Sequence, residues 1–61
     1  MKSHLVYSFE LQAGDKIFED HEFTSVNSVI QKSKDRIIVH LSNGKTYTVD
    51  RKTSFNKIIE L

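Results

Sequence analysis

The stretch Arg36-Ile37-Ile38-Val39-His40-Leu41-Ser42-Asn43-Gly44-Lys45-Thr46-Tyr47-Thr48-Val49-Asp50 constrains this chain more than any other. Two runs rich in β-branched residues flank an Asn-Gly step, the strongest short-range signal of a β-hairpin. Side-chain periodicity then sets the register. A two-residue Asn43-Gly44 loop opposes Leu41 to Thr46 and Val39 to Thr48, which leaves Tyr47 and Val49 on the face away from Val39 and Leu41. A three-residue Ser42-Asn43-Gly44 loop, with Gly44 left-handed, opposes Leu41 to Lys45, Val39 to Tyr47 and Ile37 to Val49. That arrangement gathers Ile37, Val39, Leu41, Tyr47 and Val49 on one face. A slip of one residue inverts every side chain, so burial selects the longer loop. The other face then holds Ile38, His40, Thr46 and Thr48. Arg36 faces Asp50, an opposite-charge pair worth up to about 1 kcal/mol.

The rest of the chain also reads as strand. Leu5, Tyr7, Phe9 and Leu11 occupy every second place, with Ser8, Glu10 and Gln12 between them, which marks a half-buried strand with Val6 on its outer side. Ala13-Gly14-Asp15 supplies a turn. Lys16-Ile17-Phe18 is a short second strand, and Glu19-Asp20-His21-Glu22 reads as a polar loop. Phe23 to Gln31 favours strand, with a bulge or bend expected where Val29 and Ile30 break the alternation. At the C-terminus two readings stay open. Ser54 can cap a short helix that aligns Phe55, Ile58 and Ile59, or Lys57–Leu61 can form a closing strand after a 3₁₀ turn at Thr53–Asn56. A nine-residue helix is marginal and an open sheet keeps an unprotected edge, so the strand is favoured.

The expected fold is therefore mostly β: a small, five-stranded, closed barrel spanning residues 1–61 as one domain, with a 3₁₀ or helical turn near the C-terminus. Gly14-Asp15-Lys16-Ile17 resembles the strand entry of SH3-like and Sm-like barrels. Tyr47-Thr48-Val49-Asp50-Arg51-Lys52-Thr53-Ser54-Phe55 resembles the point where a long strand of such barrels yields to a 3₁₀ turn and a closing strand. The resemblance is architectural and implies a β-barrel. Residues 36–61 also look loosely like the strand-hairpin-helix portion of LytTR-type DNA-binding domains, which are longer than this chain.

A chain of 61 residues buries only about 60% of its unfolded surface, so its stability is expected to be modest. It has no cysteine to add a disulfide or thiolate metal site. No apolar run approaches the roughly 20 residues of a membrane span, and the N-terminus lacks the apolar centre of a signal peptide, so a cytoplasmic protein without membrane contact is expected.

No constellation for catalysis stands out. His4, His21 and His40 lie 17 and 19 residues apart, whereas zinc sites use close ligand pairs. Asp15, Glu19, Asp20, His21 and Glu22 form an acidic cluster without the spacing of a calcium loop, better read as a solvated loop. No serine sits in a nucleophile elbow, and the two glycines, Gly14 and Gly44, cannot build a phosphate-binding loop. The expectation is a non-enzymatic module with no cofactor, metal or small-molecule substrate. Most of the six aromatics are expected in the core, with Phe23 or Tyr47 as candidate stacking residues.

Charge is the most informative remaining feature. Residues 1–30 carry −3 and residues 31–61 carry +4. In the hairpin Arg36 and Asp50 lie at the same end, so Lys32, Lys34, Arg36, Arg51 and Lys52 are expected to converge far from the Asn43-Gly44 tip. Two readings follow. One is a small nucleic-acid-binding regulator, DNA or RNA, with those five cations on phosphates. The other is a protein-interaction module or homodimer, using a sheet face that contains Val6, Ile38, His40 and Thr48. The charge polarity leans toward nucleic acid.

Overall fold

The computed structural model describes residues 2–60. The chain runs through β1 (Lys2–Tyr7), a 3₁₀ turn (Ser8–Glu10), β2 (Lys16–Glu19), β3 (Glu22–Gln31), β4 (Arg36–Leu41), β5 (Thr46–Asp50) and β6 (Ser54–Glu60). The strands pair antiparallel in one sheet of order β1-β6-β2-β3-β4-β5. The mostly β expectation holds, but the barrel needs correction: among the described residues there are six strands, not five, and the sheet is not closed. The reason is the place of β6. It inserts between β1 and β2, using both its edges there, so β1 and β5 are left as the two ends of the sheet.

The hairpin has the register argued from burial. Arg36 faces Asp50, Ile37 faces Val49 and Val39 faces Tyr47. The Leu41 amide donates to the Lys45 carbonyl at 2.9 Å and the Gly44 amide donates back to Leu41 at 3.1 Å. Gly44 has φ of 90°, a conformation its missing Cβ makes accessible.

β3 ties the two halves of the sheet together. Its first residues, Glu22–Ser25, pair with β2, and Val26–Gln31 pair with β4. The register shifts between Val26 and Ser28, three residues before the expected irregularity. A bulge there lets one strand turn the sheet over its own core. The loop expected at Glu19–Glu22 is tighter than anticipated. Glu19 and Glu22 are themselves paired, and Asp20 and His21 make the turn with φ of 53° and 63°. Both central residues are left-handed, as in the turn whose twist suits a hairpin.

The core consists of Leu11, Ile17, Val26, Ile37, Val39, Leu41 and Phe55, with Val6, Val29, Tyr47 and Val49 packed around it. Two expectations about the ends of the chain change. The C-terminal segment is strand, as favoured, but from Ser54 onward; the 3₁₀ turn lies at Ser8–Glu10 instead of Thr53–Asn56. Leu61 of the expected closing strand lies outside the described residues. The first strand also has the opposite phase. Val6, expected outside, faces Phe55 and packs on the core, whereas Leu5, Tyr7 and Phe9 are exposed.

Ser8 explains that phase. It is fully buried, and its hydroxyl lies 2.8 Å from both the Asp50 and the Arg51 carbonyls. Its amide donates to the Thr53 carbonyl at 2.7 Å, and the Phe9 amide donates to Arg51 at 3.3 Å. The turn is thereby docked onto the β5–β6 connection. It bridges the region where the open sheet has no strand pairing.

Candidate functional site

The same docking builds one end of the molecule. The β3–β4 loop closes when the Lys32 and Ser33 amides donate to the Arg36 carbonyl at 3.0 and 3.3 Å. The Arg51 amide donates to the Asp35 carbonyl at 2.8 Å, joining that loop to the β5–β6 turn. Asp50 holds the turn: its carboxylate accepts from the Lys52 amide at 2.9 Å and its carbonyl from the Thr53 amide at 3.0 Å. Backbone bonds thus bring Lys32, Lys34, Arg36, Arg51 and Lys52 to one end. Asp35 and Asp50 are the acids among them.

Four of these cations are exposed, and Arg51 is half-buried. Among the described residues the ion pairs are Lys45 with Asp20 and Glu22, and Lys57 with Asp15; none of the five takes part. Arg51 instead lies over the Phe9 ring, 4.7 Å from its centroid. Phe9 stacks with Tyr7 at 5.6 Å between centroids and 18° between planes. Both rings are more than two-fifths exposed, at 43% and 44%. Glu10 adds a third acid nearby, with its carboxylate accepting from the Tyr7 amide at 2.8 Å. Leu5, Val6, Tyr7, Glu10 and Ser54 line a shallow open groove beside the rings.

The aromatic residues proposed from sequence for stacking are not at this end. Tyr47 is half-buried and packs toward Phe55 at 6.2 Å. Phe23 is 58% exposed, but it pairs with Phe18 on the strands leading into the acidic turn. The expectation that most aromatics are core is also revised: Phe55 is buried, whereas Tyr7, Phe9 and Phe23 are exposed. The Arg51–Phe9–Tyr7 row was missed because alternation identifies two faces without saying which faces inward. The available signal was Glu10 three residues after Tyr7, a spacing that starts a helical turn and interrupts the strand.

The opposite end carries the other sign. Lys45 Nζ donates to Asp20 Oδ2 at 2.8 Å and lies 3.9 Å from Glu22. The Asn43 side-chain Nδ2 donates to the Glu22 carboxylate. The hydrogen bond from Lys45, then its charge, holds the Asp20 carboxyl below its usual range. The acidic cluster is thereby divided: Asp20 and Glu22 brace the hairpin tip. Asp15 pairs with Lys57 at 3.5 Å and accepts from the Gln12 amide at 2.9 Å. Among the described residues no group of three His, Cys, Asp or Glu side chains is placed to hold a metal ion.

The residues of the candidate protein interface divide as well. Val6 belongs to the core side. Ile38 and His40 are half-buried and Thr48 is exposed. Ile38 sits in a cross-strand row between Ile30 and Thr48, and Ile30 is 48% exposed. His40 Nδ1 and Thr46 Oγ1 lie 3.1 Å apart.

Among the described residues no helix is long and apolar enough to cross a membrane. No protein-family model, curated protein or solved structure matches the chain.

Proposed function

We propose that this chain is a small non-enzymatic regulator that binds nucleic acid through its basic end. The observation that carries the reading is the convergence of Lys32, Lys34, Arg36, Arg51 and Lys52, none in an ion pair among the described residues, at the joined β3–β4 and β5–β6 connections. The opposite charge lies at the other end of the β4–β5 hairpin, where Lys45 opposes Leu41 and meets Asp20, so roughly 17 Å of strand, Arg36 to Leu41, separates the two poles. Such a polarised surface orients the molecule toward a polyanion. If all five cations neutralise phosphates, log K falls with log salt by about 3.5 for a single strand and about 4.5 for a duplex.

Fluorescence anisotropy with mixed-sequence oligonucleotides at low and moderate salt tests this. Binding is expected to weaken steeply with salt. Replacing Arg51 and Lys52 with Ala should weaken it similarly across sequences and flatten the slope by about 1.4 to 1.8. A fully folded double variant with unchanged affinity refutes the assignment.

A second reading, a protein-interaction module, is favoured by the Ile30–Ile38–Thr48 row beside the unpaired edge of β5. Sedimentation of the chain and of Ile38→Asp separates the two. A monomer at all concentrations whose activity survives the substitution rules out use of this face.

A further inference from the structure

We infer that the nucleic acid this end takes is single-stranded, with a base stacked on the Tyr7–Phe9 pair while Arg51, Lys52 and the Lys32–Arg36 loop hold the neighbouring phosphates. The inference rests on the function proposed above and concerns the state of the ligand.

Three observations lead to it. The first is that two aromatic rings, stacked and over two-fifths exposed, adjoin the cationic end through Arg51. A ring face is useful only to a base whose own face is free, and in a duplex the neighbouring base pairs cover it. The second is that Arg51 joins the two functions. Its backbone belongs to the phosphate-side turn, and its guanidinium lies 4.7 Å from the Phe9 centroid. Phe9 is covered by Tyr7 and by the Arg51 guanidinium, so the ring face left to a base is that of Tyr7, with the cation at the other end of the row for a neighbouring phosphate.

The third observation concerns the element a duplex would require. A two-stranded ribbon can enter the major groove; the β4–β5 hairpin is the nearest candidate here, although β4 is also paired with β3 along its length. Its tip, however, is where Asp20 and Glu22 meet Asn43 and Lys45. Those carboxylates would face phosphate walls on both sides. The hairpin tip and the cationic surface therefore lie at opposite ends, whereas the aromatic rings and the cations lie at the same one.

The test compares one sequence as a single strand and as a duplex at fixed low salt, with wild type, Tyr7→Leu and Tyr47→Phe. Wild type is expected to bind the single strand at least tenfold more tightly. Tyr7→Leu should lose about five- to a hundredfold in single-strand affinity, the range seen for one stacked base, with its salt slope unchanged. In Tyr47→Phe, Tyr7 is the remaining tyrosine, and its fluorescence should be quenched on binding the single strand; this readout stands even if Tyr7→Leu folds poorly. Equal or tighter duplex binding overturns the inference and leaves the basic end as a phosphate site. Unchanged affinity in folded Tyr7→Leu, or no quenching in Tyr47→Phe, likewise overturns it. Absence of binding to either form at low salt refutes the broader function instead.

Discussion

Replacing Ser8 with Ala tests how the open sheet is held together. The Ser8 hydroxyl is fully buried and lies 2.8 Å from two carbonyls, those of Asp50 and Arg51. A hydroxyl has one proton, so it donates to one of them at a time. Removing it does not orphan either carbonyl. Asp50 still accepts from the Thr53 amide at 3.0 Å, and Arg51 from the Phe9 amide at 3.3 Å. The loss is therefore one net hydrogen bond, about 1 kcal/mol, without the larger penalty of an unsatisfied buried group. For a domain of this size that lowers Tm by about 4–8 °C.

Thermal unfolding followed by circular dichroism measures the change, with urea titration as a second reading. Ser3→Ala, on the exposed part of β1, is the control and should stay within about 0.5 kcal/mol of wild type. Hydrogen exchange adds a local readout. The Ser8 and Phe9 amides, which donate to Thr53 and Arg51, should exchange faster in Ser8→Ala by more than the roughly fivefold acceleration that the loss of about 1 kcal/mol of global stability gives the β4 amides. A Ser8→Ala protein as stable as wild type would refute the argument that this hydroxyl clips the turn to the β5–β6 connection.

The remaining predictions concern other parts of the surface. His21 sits at φ of 63°, a conformation that costs a residue with a Cβ about 1–2 kcal/mol, somewhat less for histidine; Gly returns about 0.5–1 kcal/mol of this as chain entropy. His21→Gly should thus raise Tm by a few degrees, and a fall would show that the imidazole makes a stabilising contact. Asp20, held low by its hydrogen bond to Lys45, contributes stability above its ordinary pKa and loses it as pH falls through the lowered value. Lys45, held high chiefly by the same bond, contributes below its ordinary pKa and loses it as pH rises through the raised one. In an NMR titration Lys45→Gln should move the Asp20 midpoint upward, and no movement removes the pair as the cause. Glu10→Gln keeps an acceptor for the Tyr7 amide but removes the acid beside the rings. With a phosphate roughly 8 Å away this relieves about 0.5 kcal/mol of repulsion, so oligonucleotide affinity should rise about twofold at low salt, and weaker binding would contradict the placement of the strand.

The parts of this fold legible in the sequence are those where local chemistry and burial agree. Asn43-Gly44 marks the turn, and the need to gather Ile37, Val39, Leu41, Tyr47 and Val49 selects its register. The convergence of Lys32–Arg36 with Arg51 and Lys52 follows from that register and the chain direction alone. What was not legible depends on long-range partners. The insertion of β6 between β1 and β2 involves residues some fifty positions apart, such as Val6 and Phe55, and no local signal encodes it. The type of turn at Asp20-His21 was hidden because neither residue is glycine, although aspartate and histidine both tolerate the left-handed region. Alternation in residues 5–11 was read as one strand; the buried bonds of Ser8 divide it.

That division bears on function. The interior already holds Leu11, Ile17, Val26, Ile37, Val39, Leu41 and Phe55, and close-packed cores accept extra volume only with strain. Packing therefore accounts for Leu5, Tyr7 and Phe9 being outside. It does not account for their being apolar. On β5 the outward positions are Thr46, Thr48 and Asp50, which satisfy a solvated strand without exposing a ring. A threonine or lysine at positions 7 and 9 would meet the same geometric requirement. In a domain this small, large apolar side chains are most valuable when buried, and three of them stand together beside the cationic end. Local reasoning fails most informatively where a residue serves something other than the fold. Here that failure falls on the two rings beside Arg51, at the same end of the molecule as the charges that the sequence did place.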